Sequence, residues 1–242
     1  MIPALFETDE VIAIDKPENI ASIPTRTKGE ETILSLLSAQ RRRKLFIVHR
    51  LDKEASGVML LAKTVDAHRH LNRQFFTRAV KKTYVLLARG VILDASGTIS
   101  RPIRQYGSGR MGVDEKTGKE STTNFEVLDR RGGYSLVKAY PRTGRRHQLR
   151  VHFYSIGHPL AGDKRYGDKE QRQSFPRLML HASEITFALP SGEMKTVTSP
   201  LPASFTSVLR GLGWDENELC FHDAQKRELN RRLDGIQKIK GF

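Results

Sequence analysis

The chain has 242 residues, 38% of them hydrophobic and 28% charged, with a formal net charge of +14 and a pI of about 10.1. This suits one sizeable core, or one domain built in two halves. No run of 18 apolar residues could cross a membrane as a helix, and the single cysteine, Cys220, rules out an intrachain disulfide or a cysteine-based metal cluster. Acid at Glu7 comes too early for a secretory signal, so a cytoplasmic protein is expected. The charge is uneven: residues 81–150 hold 15 Lys and Arg against 6 Asp and Glu. That middle stretch is expected to face a polyanion. Nucleic acid is favoured over a membrane surface, because no basic stretch is amphipathic in the way a membrane anchor is.

In chain order, Leu5-Phe6 and Val11 to Ile14 flank an acidic turn and read as a strand pair that ends in the turn Lys16-Pro17-Glu18-Asn19. Thr32 to Ser38 reads as a short helix. The basic loop Arg41 to Lys44 leads into Leu45-Phe46-Ile47-Val48, a buried strand by composition, which delivers the chain to His49-Arg50-Leu51-Asp52. Val58 to Ala62 is a second buried strand. Asp66 is a candidate N-cap for a helix carrying Leu71, Phe75 and Phe76, and Thr83 to Ala88 returns as a strand. Residues 101–122 suggest a loop or loose hairpin. Phe125 to Leu128 and Ser135 to Ala139 bracket Arg130-Arg131-Gly132-Gly133 as a hairpin. A helix follows with Leu149, Phe153 and Ile156 on one face, stopped by Gly157 and Pro159. Leu180 to Leu189 and Met194 to Thr198 form another hairpin, and Phe205, Val208, Leu209 and Leu212 another helix. Residues 215–242 are charged, with Leu229, Leu233 and Ile236 at helical spacing. The sum is an α+β fold dominated by antiparallel pairs, without Rossmann alternation.

Two constellations carry chemistry. Asp52 closes a buried strand, where a carboxylate is held rigidly yet stays reachable. On local reasoning alone it is either a turn cap or a nucleophile or general base. The run Arg142 to His152 enters a helix, and Arg145 and Arg146 beside the helix N-terminus suit a phosphate. Arg146 and Arg150, four apart, are expected to share a face turned to an anion. A solvated basic helix is the plain alternative. His147 and His152, five apart, do not stack as two ligands on one helix face, so no metal is expected.

The sequence resembles the RluA-type pseudouridine synthases. His49-Arg50-Leu51-Asp52-Lys53-Glu54-Ala55-Ser56-Gly57 is similar to that family's HRLDxxTSG loop. Thr143 to His152, followed by Gly157-His158-Pro159 and Gly162-Asp163, is similar to its second signature. Lys82-Thr83-Tyr84 matches its K-x-Y; Gly118-Lys119, Thr122 or Thr123 with Phe125, and Leu180-His181-Ala182 follow in order. Together these cover about residues 5–205. Ala55 departs from the family's usual Thr, so a hydroxyl that could brace the loop is missing. Asn19 replaces a common Gly and tolerates a left-handed backbone.

The resemblance implies the pseudouridine synthase fold: a mixed, mainly antiparallel sheet in two halves with the catalytic cleft between them. It places the catalytic domain at residues 1–214, with 215–242 as a charged helical extension and no separate N-terminal RNA-binding domain. It implies an isomerase acting on ribosomal or transfer RNA, as a monomer, with no cofactor and no metal. Asp52 becomes the nucleophile, with C1′, C6 and C2′ all open as its point of attack. Arg150 becomes its cationic partner, and Tyr84 stacks on the uracil and takes part in moving the C5 proton. Arg50 fills the space left by a flipped base, Leu180 forms an apolar wall, and Arg145, Arg146 and His147 contact RNA. A non-catalytic RNA-binding or ribosome-assembly protein is the alternative, and a nuclease using Asp52 and the histidines stands behind it.

Overall fold

The computed structural model describes residues 2–24, 29–167 and 174–215. The chain divides into two compact units, Met1–Pro202 and Ala203–Phe242. The second unit is described through α4 (Ala203–Gly211), which buries Phe205 and Leu209, as its apolar spacing requires. The helix expected from Leu229 to Ile236 lies outside the described residues.

The first unit is built on a ten-stranded sheet and a separate two-stranded one. One side of the large sheet holds β1 (Ala4–Glu7), β2 (Val11–Lys16), β3 (Phe46–Ile47) and β4 (Ser56–Ala62). The other holds β5 (Lys81–Arg89), β6 (Ser96–Ser100), β9 (Thr122–Arg131), β10 (Tyr134–Pro141), β11 (Leu180–Ala188) and β12 (Met194–Thr198). The main path runs β1-β2-β4-β11-β5-β10-β9-β6, with β3 on β4 and β12 on β11. Every ladder is antiparallel except β4 with β11, which is parallel and consists of His181 opposite Ser56 and Ala182 opposite Gly57. The small sheet is the hairpin β7 (Ile103–Gln105) and β8 (Met111–Val113). Among the described residues no helix is long and apolar enough to cross a membrane.

Alternation along β2 and β4 explains why both strands read as unbroken apolar runs. Val58, Leu60 and Ala62 join Val11 and Ala13 on one face, against Ala67 and Leu71 of α2 (Val65–Phe76). Met59 and Leu61 join Ile12 and Ile14 on the other, against Ile33 and Leu37 of α1 (Ile33–Arg41). Both faces are covered, so neither strand keeps a polar side. In the other half, Leu86 and Ala88, Val137 and Ala139, and Phe125 and Val127 cover one face against Leu149 and Phe153 of α3 (Gln148–Ser155).

Three expectations need correction. The strand expected over Leu45 to Val48 shrinks to Phe46–Ile47. It shares an edge of β4 with β11, which takes Ser56 and Gly57 and leaves Leu61 and Ala62 to β3. The chain must therefore leave the ladder early, and residues 48–55 form the loop that carries Asp52. The cap of α2 is Thr64, whose hydroxyl accepts from Ala67 N–H at 3.2 Å; Asp66 sits inside the first turn, paired with Arg69 at 2.9 Å. The β-region backbone of Thr64 lets its short side chain fold back on the helix end, which a residue within the turn cannot do. Finally, α3 starts at Gln148 after a left-handed His147 (φ 55°), so Arg146 precedes the helix and does not share its face with Arg150.

Gly57 fixes the junction of the two halves. Its φ is +112°, and a Cβ there would lie 2.2 Å from the carbonyl oxygen of Ala182. The backbones of β4 and β11 approach too closely for any side chain at this point, five residues after Asp52. Asn19 adopts a left-handed φ of 66°, as its side chain allows.

Candidate active site

A cleft of about 610 Å³ opens over this junction, lined by residues of the 48–55 loop together with Lys82, Tyr84, Arg145, His147, Arg150 and Leu180. Asp52 lies in it, 15% exposed at its side chain. Arg150 Nη1 donates to Asp52 Oδ2 at 3.2 Å and to Glu54 Oε2 at 3.3 Å. Arg150 is itself 2% exposed and is held by Asp163, with Nε and Nη2 each 2.8 Å from a carboxylate oxygen. The Asp163 side chain is fully buried and also accepts from the backbone N–H groups of Arg165 and Tyr166. Its fork-to-fork pairing fixes the guanidinium plane, which in turn fixes the Asp52 carboxylate. A Cβ at the preceding Gly162 (φ +71°) would meet Arg177 O at 1.9 Å, so this segment is as tightly seated as Gly57.

A second contact reaches Asp52 from His147, whose Nε2 is 3.9 Å from Oδ1. His147 Nδ1 is 2.8 Å from the Tyr166 hydroxyl, which accepts from Met111 N–H at 3.2 Å. Burial and the nearby Arg150, Arg146 and Arg165 lower the His147 pKa to about 3, so its ring is neutral at physiological pH. The Nδ1 bond to Tyr166 holds the ring with Nε2 turned toward Asp52.

Tyr84, on β5, lines the cleft half-buried, and Leu180 opens β11 at 4% exposure, in the core and on the cleft wall at once. Burial and then the charge of Asp52 push the Tyr84 phenol above its ordinary range. It therefore holds its proton and offers a ring face and an O–H rather than a phenolate. Lys82, two residues before Tyr84, lines the same cleft; Nζ donates to Thr143 O at 3.3 Å, and burial lowers its pKa to about 8. Arg145 lines the cleft, with Nε on Glu120 O at 3.2 Å, whereas Arg146 turns to a neighbouring hollow. Arg50 borders both. The remaining histidines of the second signature are engaged elsewhere: His152 with Thr123 and Arg101 O, His158 with Arg89 O.

The bracing that Ala55 lacks in its side chain comes through its backbone. Ala55 N–H donates to Asp52 O at 3.2 Å, and Ala55 O accepts from Lys16 Nζ at 2.7 Å. Lys16 is completely buried, and Nζ also donates to Pro17 O at 2.8 Å and Lys53 O at 3.2 Å. Ser22 Oγ adds a bond to Leu51 O at 2.8 Å. Asp163, Lys16, Tyr166 and Lys82 were not singled out as site residues from the sequence. Asp163 and Lys82 do fall within the quoted motifs, so a signal existed for those two.

Burial, only partly offset by Asp52 and Glu54, lowers the Lys16 pKa to about 8. Between pH 8 and its ordinary 10.5, the folded chain has released a proton that the unfolded chain keeps. This group's contribution to stability therefore rises with pH across that window. The loop, however, loses one of its N–H donors as Lys16 becomes neutral. Lys16→Met is expected to cost about 2–3 kcal/mol by stranding buried carbonyls, read by urea denaturation. It should also remove the Lys16 contribution from the pH–stability profile above pH 8. Unchanged stability at neutral pH would show that Lys16 does not hold the loop, and an unchanged profile above pH 8 would show that it does not titrate there.

Residues 10–155 match the family described as RNA pseudouridylate synthase. The chain belongs to this family. It is 36% identical over 223 residues to the ribosomal large subunit pseudouridine synthase D of Nitrosomonas europaea, covering 86% of this chain and 64% of that protein. The chain thus spans a little under two thirds of that relative's length. To the dual-specificity RNA pseudouridine synthase RluA of Escherichia coli it is 35% identical over 200 residues, covering 81% of this chain and 91% of that one. Human RNA pseudouridylate synthase domain containing 1 superposes with a TM-score of 0.71 at 28% identity, covering 88% of this chain and 94% of that chain. The pseudouridine synthase fold is thus that of its structural neighbours, as the motifs implied.

Proposed function

We propose that this pseudouridine synthase family member is an active isomerase that converts uridine to pseudouridine within RNA, with Asp52 as nucleophile. The observation that carries this reading is the buried chain Asp163–Arg150–Asp52, which presents one oriented carboxylate to a cleft sized for a nucleoside. A non-catalytic RNA-binding protein has no need of such a device. In the reaction the N1–C1′ bond breaks, the base turns, and C5 bonds to C1′; the C5 hydrogen leaves as a proton and N1 gains one. Atoms and electrons balance without a redox partner, so the reading calls for no cofactor and no metal.

A paired uridine cannot reach Asp52 from within a helix, so it must flip out. Tyr84 then supplies a face for the uracil and an O–H for the proton that leaves C5, Leu180 the apolar wall, and Arg50 a side chain to enter the vacated stack. Arg145 contacts the backbone beside the site, and His147 steadies Asp52. Among relatives one is named for the large ribosomal subunit and one for dual specificity. We take ribosomal RNA as the first substrate to test and transfer RNA as the second, with one cytoplasmic copy of the chain acting alone. The catalytic domain is assigned to residues 1–214. Tritium release from RNA labelled at uridine C5 tests the reading, and carbodiimide-stop mapping in cells with and without the protein locates the site. RNA binding with no release from any cellular RNA would favour the binding module; shortened RNA would point to a nuclease.

A further inference from the structure

A second hollow of about 710 Å³ lies beside the cleft, and Arg50 belongs to the lining of both. Arg146 and Arg165 line it too, with Gly107, Ser108 and Gly109 of the turn between β7 and β8. No acidic residue is among its described lining residues. The arginines come from three separate segments: the nucleophile loop, the turn before α3, and the stretch after Asp163.

Several other arginines of this unit are tied down, although the side chains of Arg42, Arg73 and Arg142 are not. Arg150 holds Asp163, Arg104 pairs with Asp114 at 2.9 Å, and Arg177 with Glu18 at 2.9 Å. The side chains of Arg50, Arg146 and Arg165 form no ion pair or hydrogen bond with any described residue. Their charge is nonetheless felt locally, since Arg146 and Arg165 both depress the His147 pKa. Three guanidinium groups with no ion pair among the described residues make this hollow cationic, which favours an anion there. The turn leaves space for one: a Cβ at Gly107 would meet nothing within 4 Å, and one at Gly109 would meet only Arg165, at 4.0 Å. Ser108 Oγ accepts from Arg110 N–H at 3.3 Å, which leaves its hydrogen to donate.

We propose that this hollow seats a backbone phosphate of the substrate RNA, next to the nucleotide whose base enters the cleft. The ligand class is a phosphodiester, held by Arg146 and Arg165 in fork geometry with Ser108 and Arg50 completing the ring. The seat rests on the reading that RNA is the substrate and adds the strand's register. With one phosphate pinned beside Arg50, the ribose of the neighbouring nucleotide is brought to the mouth of the cleft at a fixed offset.

The test uses the full-length chain and a C5-tritiated stem-loop transcript of ribosomal RNA with unpaired uridines in its loop. Arg146→Gln and Arg165→Gln each change an exposed or half-exposed side chain outside the Asp52 cluster. Arg69→Gln, on α2 and 75% exposed, removes one charge far from the hollow in sequence as a control. Each hollow variant is expected to weaken affinity about tenfold at low salt and to lower the slope of log affinity against log salt, the double variant losing no more than the ~0.7–0.9 that one phosphate contributes. Any loss of turnover at saturating RNA should be smaller than the loss of affinity. Losses no greater than for Arg69→Gln overturn the seat. A fall in saturated turnover with affinity unchanged also overturns it, because the arginines would then act in the chemistry. If the binding differences appear while the wild-type chain releases no tritium, the seat stands and the activity reading fails.

Discussion

Asp52→Asn is expected to fold, to bind RNA like the wild type, and to lose turnover by at least about 10⁴-fold. The amide keeps the shape of the carboxylate but is no nucleophile. The fold survives because Arg150 retains Asp163 by two bonds and Glu54 by a third. Affinity survives because the cationic rim of Arg50, Arg145 and Arg146 is untouched. Three readouts separate the outcomes: tritium release, gel-shift affinity and thermal melting. If Asp52→Asn turned over RNA at near the wild-type rate, the nucleophile would have to be another group. A variant that melted early would show that the Arg150 contact to Asp52 is structural first.

The second large effect belongs to the pair behind Asp52. Arg150→Ala leaves the Asp163 carboxylate fully buried with only the backbone donors of Arg165 and Tyr166. Stranding a buried charge costs about 3–5 kcal/mol, so this variant is expected to be markedly destabilised as well as inactive. Arg150→Lys separates the two consequences. A lysine restores a charge near Asp163 but has no planar fork, so it cannot hold Asp163 by two bonds and orient Asp52 with a third donor. Much of the stability should return while turnover at saturation stays about 100-fold down. Asp163→Asn is the complementary change. Asp163 does not line the cleft and reaches Asp52 through Arg150, so turnover should fall with KM for RNA little changed; equal turnover would remove Asp163 from the positioning chain.

Much of this site was legible because its residues sit in ordered motifs. Asp52, Tyr84, Arg150 and Leu180 are far apart in the chain and line one cleft. Local pattern alone left Asp52 as one candidate turn cap. The hidden parts depend on contacts that no local window contains. Lys16 reads as half of a Lys-Pro turn, yet its Nζ reaches Lys53 and Ala55 across the sheet. Arg146 was misplaced because the start of α3 hangs on a left-handed His147, and helical phase cannot be counted before that start is known. Apolar composition found β4 as a buried strand but could not say which helix covers each face, and it overran β3 because the edge competition with β11 is a matter of topology. Ala55 shows the same limit from the other side: the missing hydroxyl was visible, and the backbone contacts that brace the loop were not.

The short parallel ladder at Gly57 and Ala182 has a consequence for how a substrate is chosen. Because β11 bonds β4 on one side and β5 on the other, the floor beneath Asp52 is a continuous hydrogen-bonded surface rather than two jaws meeting at a hinge. On the proposed reading, the sheet itself does not fold around a bound uridine, so part of the adaptation falls to the RNA. Selection among uridines then tracks how little work the RNA needs to expose each one. If the chain isomerises uridine as proposed, uridines in loops, beside mismatches or at helix ends are expected to react faster than identical sequences locked in a long duplex.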